Sequence, residues 1–201
     1  MRTPASLALI PLVAAALVGA APAQHHKPHG HGAHADRPAK APQVKVGQRV
    51  PDFTVTDLSG AKLKLSELQK KSPTGVVSLT YWCSFCHSCR GVEKQLDQFA
   101  GQQREQAAVV LIDASAGETP ERVSAFAEKT GLTLPILLDG GGKTVDLFGV
   151  HATTTTLVID AKRVLRYRGQ FRREQEEPAA AALEAVLGGK EVPLKETPQR
   201  G

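Results

Sequence analysis

The chain has 201 residues, of which 41% are hydrophobic and 22% are charged, and its formal net charge at pH 7 is +5. This length and apolar content supply one ordinary hydrophobic core, so we expect a single domain with short appendages. Lysine and arginine are spread along the chain and aromatic residues are few, which argues against the basic, aromatic surface of a nucleic-acid-binding protein. We expect a monomer with no nucleic-acid partner.

Residues 1–23 contain the three parts of a secretory signal. Arg2 supplies the basic start, residues 7–18 form an apolar stretch, and Ala21-Pro22-Ala23 provides a small-residue cleavage site. The apolar stretch is short for a membrane span, so we expect membrane contact only through this segment where it stays uncleaved. The segment predicts a periplasmic or secreted protein.

Residues 24–42 are rich in histidine, glycine, alanine, proline and lysine, with almost nothing to bury. This composition predicts a disordered linker. Neutral imidazoles bind copper, zinc or nickel, and the five that could do so loosely here are His25, His26, His29, His31 and His34. A solvated tether explains the same composition, and both interpretations stay open.

A pattern typical of a folded domain covers residues 43–190. It opens with an extended, alternating stretch, in which Asp57 to Gly60 is a turn between two short strands and Ser66 caps a short helix before Lys70. The later predicted elements are, in order, a strand over 76–82, a helix over 85–100, a strand over 107–113, a helix over 120–130, a strand over 135–138, a helix over 143–148, a strand over 155–160, a hairpin partner over 164–167 and a helix over 178–187. This alternation predicts an α/β protein with a central mixed β-sheet covered on both faces. Residues 191–201 are expected to form a loose tail.

Two cysteines at C-x-x-C spacing, Cys83 and Cys86, lie where the strand over 76–82 ends and a helix begins. Unpaired backbone N–H groups and the helix dipole favour a thiolate at that point, so we predict that Cys83 is the exposed, low-pKa nucleophile. Cys86, one turn further on, could resolve the mixed disulfide and close a reversible disulfide ring. Trp82, directly before the pair, strengthens a redox interpretation over the zinc sites in which C-x-x-C also occurs.

The sequence before and around these cysteines resembles that of the AhpC/TSA or redoxin family, including the exported TlpA-like disulfide reductases. The residues that carry the resemblance are Val46-Gly47, Pro51-Asp52-Phe53, Asp57, Gly60, Leu65-Ser66, Leu68 and Trp82-Cys83-Ser84-Phe85-Cys86. The resemblance implies a thioredoxin-like fold with an N-terminal β-hairpin extension. It also implies a thiol-disulfide oxidoreductase that needs no cofactor and reacts with protein or small-molecule disulfides and dithiols.

The chain departs from the family pattern at Thr154, which stands where relatives usually carry a cis-proline facing the cysteine pair. A cis bond before a residue other than proline costs about 2.5 to 4 kcal/mol, so we expect the Thr153-Thr154 bond to be trans. The loop should then follow a different path, and Thr154 becomes an auxiliary candidate residue of the site.

Three other interpretations of the cysteine pair stay open. Thr80 and Cys83 match half of the peroxiredoxin signature, which would make the protein an antioxidant peroxidase whose threonine hydroxyl helps to position peroxide. Thiolates and imidazole suit a soft metal, so Cys83 and Cys86 with His151 could hold copper or zinc, as in the thioredoxin-like Sco copper chaperones. The run from Cys83 to His87 also matches a haem attachment motif.

The third cysteine, Cys89, has two interpretations of its own. It lies on the same predicted helix face as Val92, Leu96 and Phe99, which indicates a buried small hydrophobic residue. Because it also follows Cys86 by three positions, it could act as a second resolving thiol.

Overall fold

The structure is a computed structural model that describes residues 42–200. The predicted signal segment and the five histidines of the linker, with the weak metal binding predicted for them, lie outside the described residues. No helix within 42–200 is long and apolar enough to cross a membrane.

In the described part of the chain, seven strands form one mixed sheet, as the sequence predicted. Their bounds are Thr54–Asp57 (β1), Lys62–Lys64 (β2), Val76–Tyr81 (β3), Ala107–Asp113 (β4), Ile136–Leu138 (β5), Thr155–Ile159 (β6) and Leu165–Gln170 (β7). Across the sheet the order is β2-β1-β5-β4-β3-β6-β7. Strand β4 pairs in parallel with both β3 and β5, and the remaining pairs are antiparallel. The antiparallel β1–β2 pair is the predicted N-terminal hairpin.

Six helices accompany the sheet within residues 42–200. Their bounds are Leu65–Lys71 (α1), His87–Arg90 (α2), Glu93–Gln103 (α3), Pro120–Thr130 (α4), Lys143–Phe148 (α5) and Pro178–Leu187 (α6). Helix α4 has the predicted bounds because its end signals are local: the Thr119 side chain accepts the N–H of Arg122, and Gly131 ends the helix at φ 70°. Helix α1 differs from the prediction that Ser66 caps it. Ser66 lies inside the helix and donates its N–H and hydroxyl to the Asp52 carboxylate.

The single helix predicted over residues 85–100 is interrupted in the structure. Helix α2 ends at Gly91, and the next residue, Val92, leaves the helical region at φ −121° before α3 begins. Glycine in a helix interior lowers the stability of the helix by about 0.5 to 1 kcal/mol relative to alanine, so an interruption at Gly91 loses little stability. The short α2 therefore places Cys86 at its N-cap and Cys89 inside it.

The sheet separates two hydrophobic clusters. Side chains alternate along β3, so that Val76 packs into one cluster with α3, α4 and α6, whereas Val77 and Leu79 pack into the other with α1 and α5. Both faces of β3 are buried, which explains why its sequence, VVSLTY, contains no charged residue.

The segment after α6 is not the loose tail that the sequence predicted. Arg168 of β7 donates its N–H to Lys195 at 3.1 Å and accepts the N–H of Thr197 at 3.2 Å. The Thr197 hydroxyl oxygen accepts the N–H of Gln170 at 2.8 Å, and Val192 is buried in the core. Strand β7 is an edge strand, and this segment satisfies some of its unpaired backbone groups.

Candidate active site

The three cysteines lie at the carboxyl end of β3. Because β3 and β4 are parallel and in register from Val76–Ala107 to Tyr81–Ile112, their carboxyl ends meet at the same edge of the sheet. The N–H of Trp82 continues the pairing to Ile112 at 2.9 Å. Cys83 therefore emerges beside the end of β4, while α2 carries the other two cysteines.

All three cysteines are free thiols, and their sulfur atoms lie within 4.8 Å of one another. The sulfur of Cys86 accepts the backbone N–H of Cys89 at 3.3 Å, because the two residues are three apart at the start of α2. The sequence predicted the Cys83/Cys86 pair, whereas the position of Cys89 in the same cluster depends on where α2 begins.

Cys83 differs from its predicted state, since only 4% of its surface is exposed. Burial is the largest cause and raises the pKa of the Cys83 thiol. A Ser115 hydrogen bond opposes it, and the neighbouring Cys86 and Asp113 charges add to the increase, so the pKa stays raised. The expectation of an exposed, low-pKa Cys83 is wrong in this structure because the helix begins at His87 rather than at the cysteine.

Cys86 has the properties that the sequence assigned to Cys83. Its side chain is partly exposed. Burial alone would raise the pKa of Cys86, but hydrogen bonds from the Cys89 thiol, the Thr153 hydroxyl and the backbone N–H groups of Cys89 and Ser88 outweigh it and lower the pKa. Cys86 is therefore the member of the cluster whose thiolate is best stabilised.

Cys89 is fully buried and belongs to the hydrophobic core, as the helical pattern predicted. Burial is the largest of the causes that raise the pKa of Cys89 to about 12. Both interpretations of this residue are therefore compatible with its position: it packs in the core and also contacts the redox pair.

The loop before β6 faces the cysteines through Thr153. No cis peptide bond occurs within residues 42–200, so the Thr153-Thr154 bond is trans as expected. Thr154 adopts φ +60°, donates its N–H to Tyr81 at 2.7 Å and accepts the N–H of Phe171 at 2.8 Å. Its neighbour Thr153 places its hydroxyl 3.1 Å from the Cys86 sulfur. Thr154 thus holds the loop in place, and Thr153, which sequence reasoning missed, makes the contact.

His151 does not join the cysteine cluster. It is exposed, its N–H is bonded to Gln199 at 3.0 Å, and its ring nitrogen Nδ1 lies 3.4 Å from the Gly149 carbonyl. Within the described part of the chain, the group of metal-ligating side chains at this site consists of the cysteines alone. The predicted Cys83, Cys86 and His151 metal site is therefore wrong, because the exposed His151 is not part of this group.

Thr80 and Trp82 are buried supports of the site. The Thr80 hydroxyl is 2.9 Å from that of Thr156 on the neighbouring strand and is 1% exposed, so it is not presented to a substrate. The Trp82 indole donates to Glu93 at 2.9 Å and packs on Phe126 with ring centroids 5.4 Å apart. Trp82 thereby connects the cysteine loop to α3 and α4.

A buried pair of carboxyl groups beside Cys83 was also missed from the sequence. Asp113 ends β4 with 2% of its surface exposed, and its Oδ1 accepts the N–H of Ser115 at 2.8 Å. Burial and the nearby Glu118 carboxyl raise the pKa of Asp113. The parallel alignment of β3 with β4 was the signal that could have placed Asp113 here, since both strand ends were predicted.

Comparison with known proteins agrees with the family resemblance of the sequence. The AhpC/TSA family model matches residues 46–168. The chain is 32% identical to the thioredoxin-like protein YneN of Bacillus subtilis (strain 168), over 61% of this chain and 70% of that protein. It is 30% identical to the thiol-disulfide oxidoreductase ResA of Bacillus thuringiensis (strain Al Hakam), over 66% of this chain and 75% of that protein. A crystal structure of a candidate thiol:disulfide interchange protein DsbE from Chlorobium tepidum superposes with a TM-score of 0.62 at 25% identity, covering 73% of this chain and 100% of that one.

The fold, the strand-to-helix C-x-x-C pair and these relatives define a thioredoxin-like thiol-disulfide oxidoreductase, an enzyme that acts on dithiol or disulfide substrates. The chain belongs to the AhpC/TSA family.

Proposed function

We propose that Cys83 and Cys86 are the redox pair of this oxidoreductase and that Cys86 attacks the substrate disulfide first. The observation that supports this order is the difference in exposure: Cys86 is partly exposed, whereas Cys83 and Cys89 are buried. The Cys89 N–H at 3.3 Å and the Thr153 hydroxyl at 3.1 Å also contact the Cys86 sulfur, and a thiolate rather than a thiol is the nucleophile in disulfide exchange.

The reaction proceeds in two exchanges. The Cys86 thiolate attacks one sulfur of the substrate disulfide, so that a mixed disulfide forms and the first substrate thiolate leaves and takes up a proton. Cys83 then loses its proton and attacks the Cys86 sulfur, which releases the second substrate thiolate and closes the Cys83–Cys86 disulfide. Two electrons pass from the pair to the substrate. In the reverse direction the oxidised pair accepts two electrons from a dithiol.

Two neighbours support the second exchange and substrate contact. Asp113, which reaches the Cys83 environment through Ser115, is the nearby group suited to accept the Cys83 proton. Phe85, directly before Cys86, is 62% exposed and offers an apolar surface to a substrate next to the attacking sulfur.

Trapping the mixed disulfide tests the order of attack. The experiment uses the Cys89→Ala background, so that no third thiol can release the trapped species. With insulin as substrate, Cys83→Ser should accumulate a mixed disulfide at Cys86, whereas Cys86→Ser should trap none and be inactive. The exposed Ser88→Ala variant is the matched control and should turn over normally. A mixed disulfide trapped at Cys83 in the Cys86→Ser protein would show that Cys83 attacks first.

We also propose that the protein is exported and acts as a monomer. Residues 1–23 have the basic start, apolar stretch and small-residue site of a secretory signal. Expression in a bacterial host followed by fractionation should place a form beginning at Gln24 outside the cytoplasm, and light scattering should give the mass of one chain. A cytoplasmic, full-length product or a stable dimer would contradict the corresponding part.

A further inference from the structure

The cysteine cluster contains one more thiol than disulfide exchange requires. Cys83 arrives from the end of β3, and Cys86 and Cys89 come from the first turn of α2. The three sulfurs lie within 4.8 Å of one another, and all are free. The sulfurs therefore surround a common point from two different elements of the fold.

This spacing is close to that of a three-coordinate thiolate site. With metal–sulfur bonds of about 2.3 Å, three sulfurs around one ion lie roughly 3.8 to 4.0 Å apart, depending on whether the site is pyramidal or planar. The observed upper limit of 4.8 Å needs a contraction of less than about 1 Å, which side-chain torsions can supply. Because the three thiols are free, no disulfide has to be reduced before the ion binds.

We propose that the dithiol form of this protein binds one Cu(I) ion through the Cys83, Cys86 and Cys89 sulfurs. Thiolates select soft cations, among them Cu(I) and Zn(II). Structural zinc sites are tetrahedral and need a fourth ligand, but within residues 42–200 the group contains only the three cysteines. Three sulfurs saturate Cu(I), so the ligand set favours copper.

The burial of the site suits a retained ion. Cys83 and Cys89 are at most 4% exposed, so water has poor access to the ion from their side. Cys86 is partly exposed and forms the opening through which Cu(I) exchanges with a donor. Each thiol that coordinates releases its proton to solvent, and no electron is transferred in binding.

Copper binding and disulfide exchange exclude each other. The Cys83–Cys86 disulfide leaves Cys89 as the one remaining thiol of the cluster, so the oxidised protein lacks the site. Conversely, a bound ion occupies both sulfurs of the redox pair. This consequence rests on the proposed function, whereas the metal site itself rests only on the positions of the sulfurs.

The test is a Cu(I) titration of the reduced full-length chain against bathocuproine disulfonate without oxygen. All proteins carry alanine at the five histidines of residues 24–42, which removes the weak metal binding that the sequence predicts there. One Cu(I) per chain should bind, with three sulfur neighbours by X-ray absorption. Cys89→Ala should weaken binding by at least about tenfold, since even outer partners of metal ligands change affinity by that much. His151→Ala and Ser88→Ala are the matched controls and should bind as the parent does.

The outcomes are distinct. Unchanged affinity in Cys89→Ala, absence of binding in the parent, or stoichiometric Zn(II) binding without Cu(I) would each overturn the proposal. Cys89→Ser and thermal melting of both variants separate loss of a ligand from loss of the fold. Insulin reduction by Cys89→Ala is measured in parallel: retained activity with weakened copper binding supports both proposals, whereas lost activity with weakened copper binding would count against the proposed function alone, which needs only Cys83 and Cys86.

Discussion

The hydroxyl oxygen of Thr153 lies 3.1 Å from the sulfur of Cys86, across the sequence distance between the cysteine loop and the loop before β6. Thr153 directly precedes Thr154, where the family resemblance led us to expect a cis-proline. In this chain the trans bond and the left-handed backbone of Thr154 turn a threonine side chain, rather than a proline ring, toward the redox pair.

The first prediction concerns that contact. Thr153→Val removes the hydroxyl and keeps the side-chain shape, so we expect alkylation of Cys86 by iodoacetamide at pH 7 to slow by about threefold to tenfold. The reason is that a hydrogen bond to a charged group contributes about 1.5 to 3 kcal/mol when fully buried, and Cys86 is partly exposed. Peptide mapping identifies the modified cysteine. Thr153→Ser should retain the parent rate, and an unchanged rate in Thr153→Val would show that the contact is unimportant.

The second prediction separates disulfide exchange from peroxide reduction. The Thr80 hydroxyl is buried against Thr156, so it is not available to position peroxide. We expect stopped-flow oxidation of the reduced protein by hydrogen peroxide to be no faster than that of a free thiol at the same degree of ionisation. Thr80→Val should leave this rate unchanged. A much faster reaction that Thr80→Val abolishes would place the protein among the peroxidases.

The third prediction concerns the buried carboxyl pair. No hydrogen-bond donor within residues 42–200 reaches Asp113 Oδ2 or either Glu118 carboxylate oxygen, so Asp113 is more stable in this position when it holds a proton. The pKa of Asp113 is raised in the folded protein above its ordinary value of 3.8. The contribution of this proton to the free energy of unfolding is therefore fully present at pH values below 3.8. It is lost as the pH rises through the raised pKa of Asp113.

Glu118→Gln provides an amide donor that needs no proton, so we expect the free energy of unfolding at pH 7 to rise by about 1 kcal/mol. Urea denaturation at several pH values measures this, and the gain over the parent should shrink as the pH falls. Arg122→Ala is the control for the 3.7 Å ion pair to Glu118 and should change stability little, because Arg122 is exposed. A loss of stability in Glu118→Gln that is independent of pH would contradict a proton held by Asp113.

The fourth prediction concerns the C-terminal segment. Thr197→Ala removes the acceptor of the Gln170 N–H and a hydroxyl 3.2 Å from that of Tyr167, so we expect a loss of about 1 to 3 kcal/mol. Lys195→Ala, which removes an exposed ion pair to Glu191, should change stability by less than about 0.5 kcal/mol. Thermal unfolding of both variants is the measurement. Equal stability of the two would restore the interpretation of this segment as a loose tail.

The order of strands and helices follows from local signals, and the sequence alone determined it. Thr119, Pro120 and Gly131 set the bounds of α4 through their own backbone preferences and short-range hydrogen bonds. The C-x-x-C pair at a strand end indicated redox chemistry for a similar reason, because spacing and secondary structure are properties of neighbouring residues.

Only the tertiary structure decided which cysteine is accessible and what surrounds it. The exposure of Cys86, the burial of Cys83 and the position of Cys89 depend on where α2 begins and on how it packs over β3. Asp113 lies beside Cys83 because two parallel strands end together, and Thr153 reaches Cys86 across 67 positions of sequence. Burial and thiolate stabilisation are sums over residues distant in the chain, so no local pattern contains them.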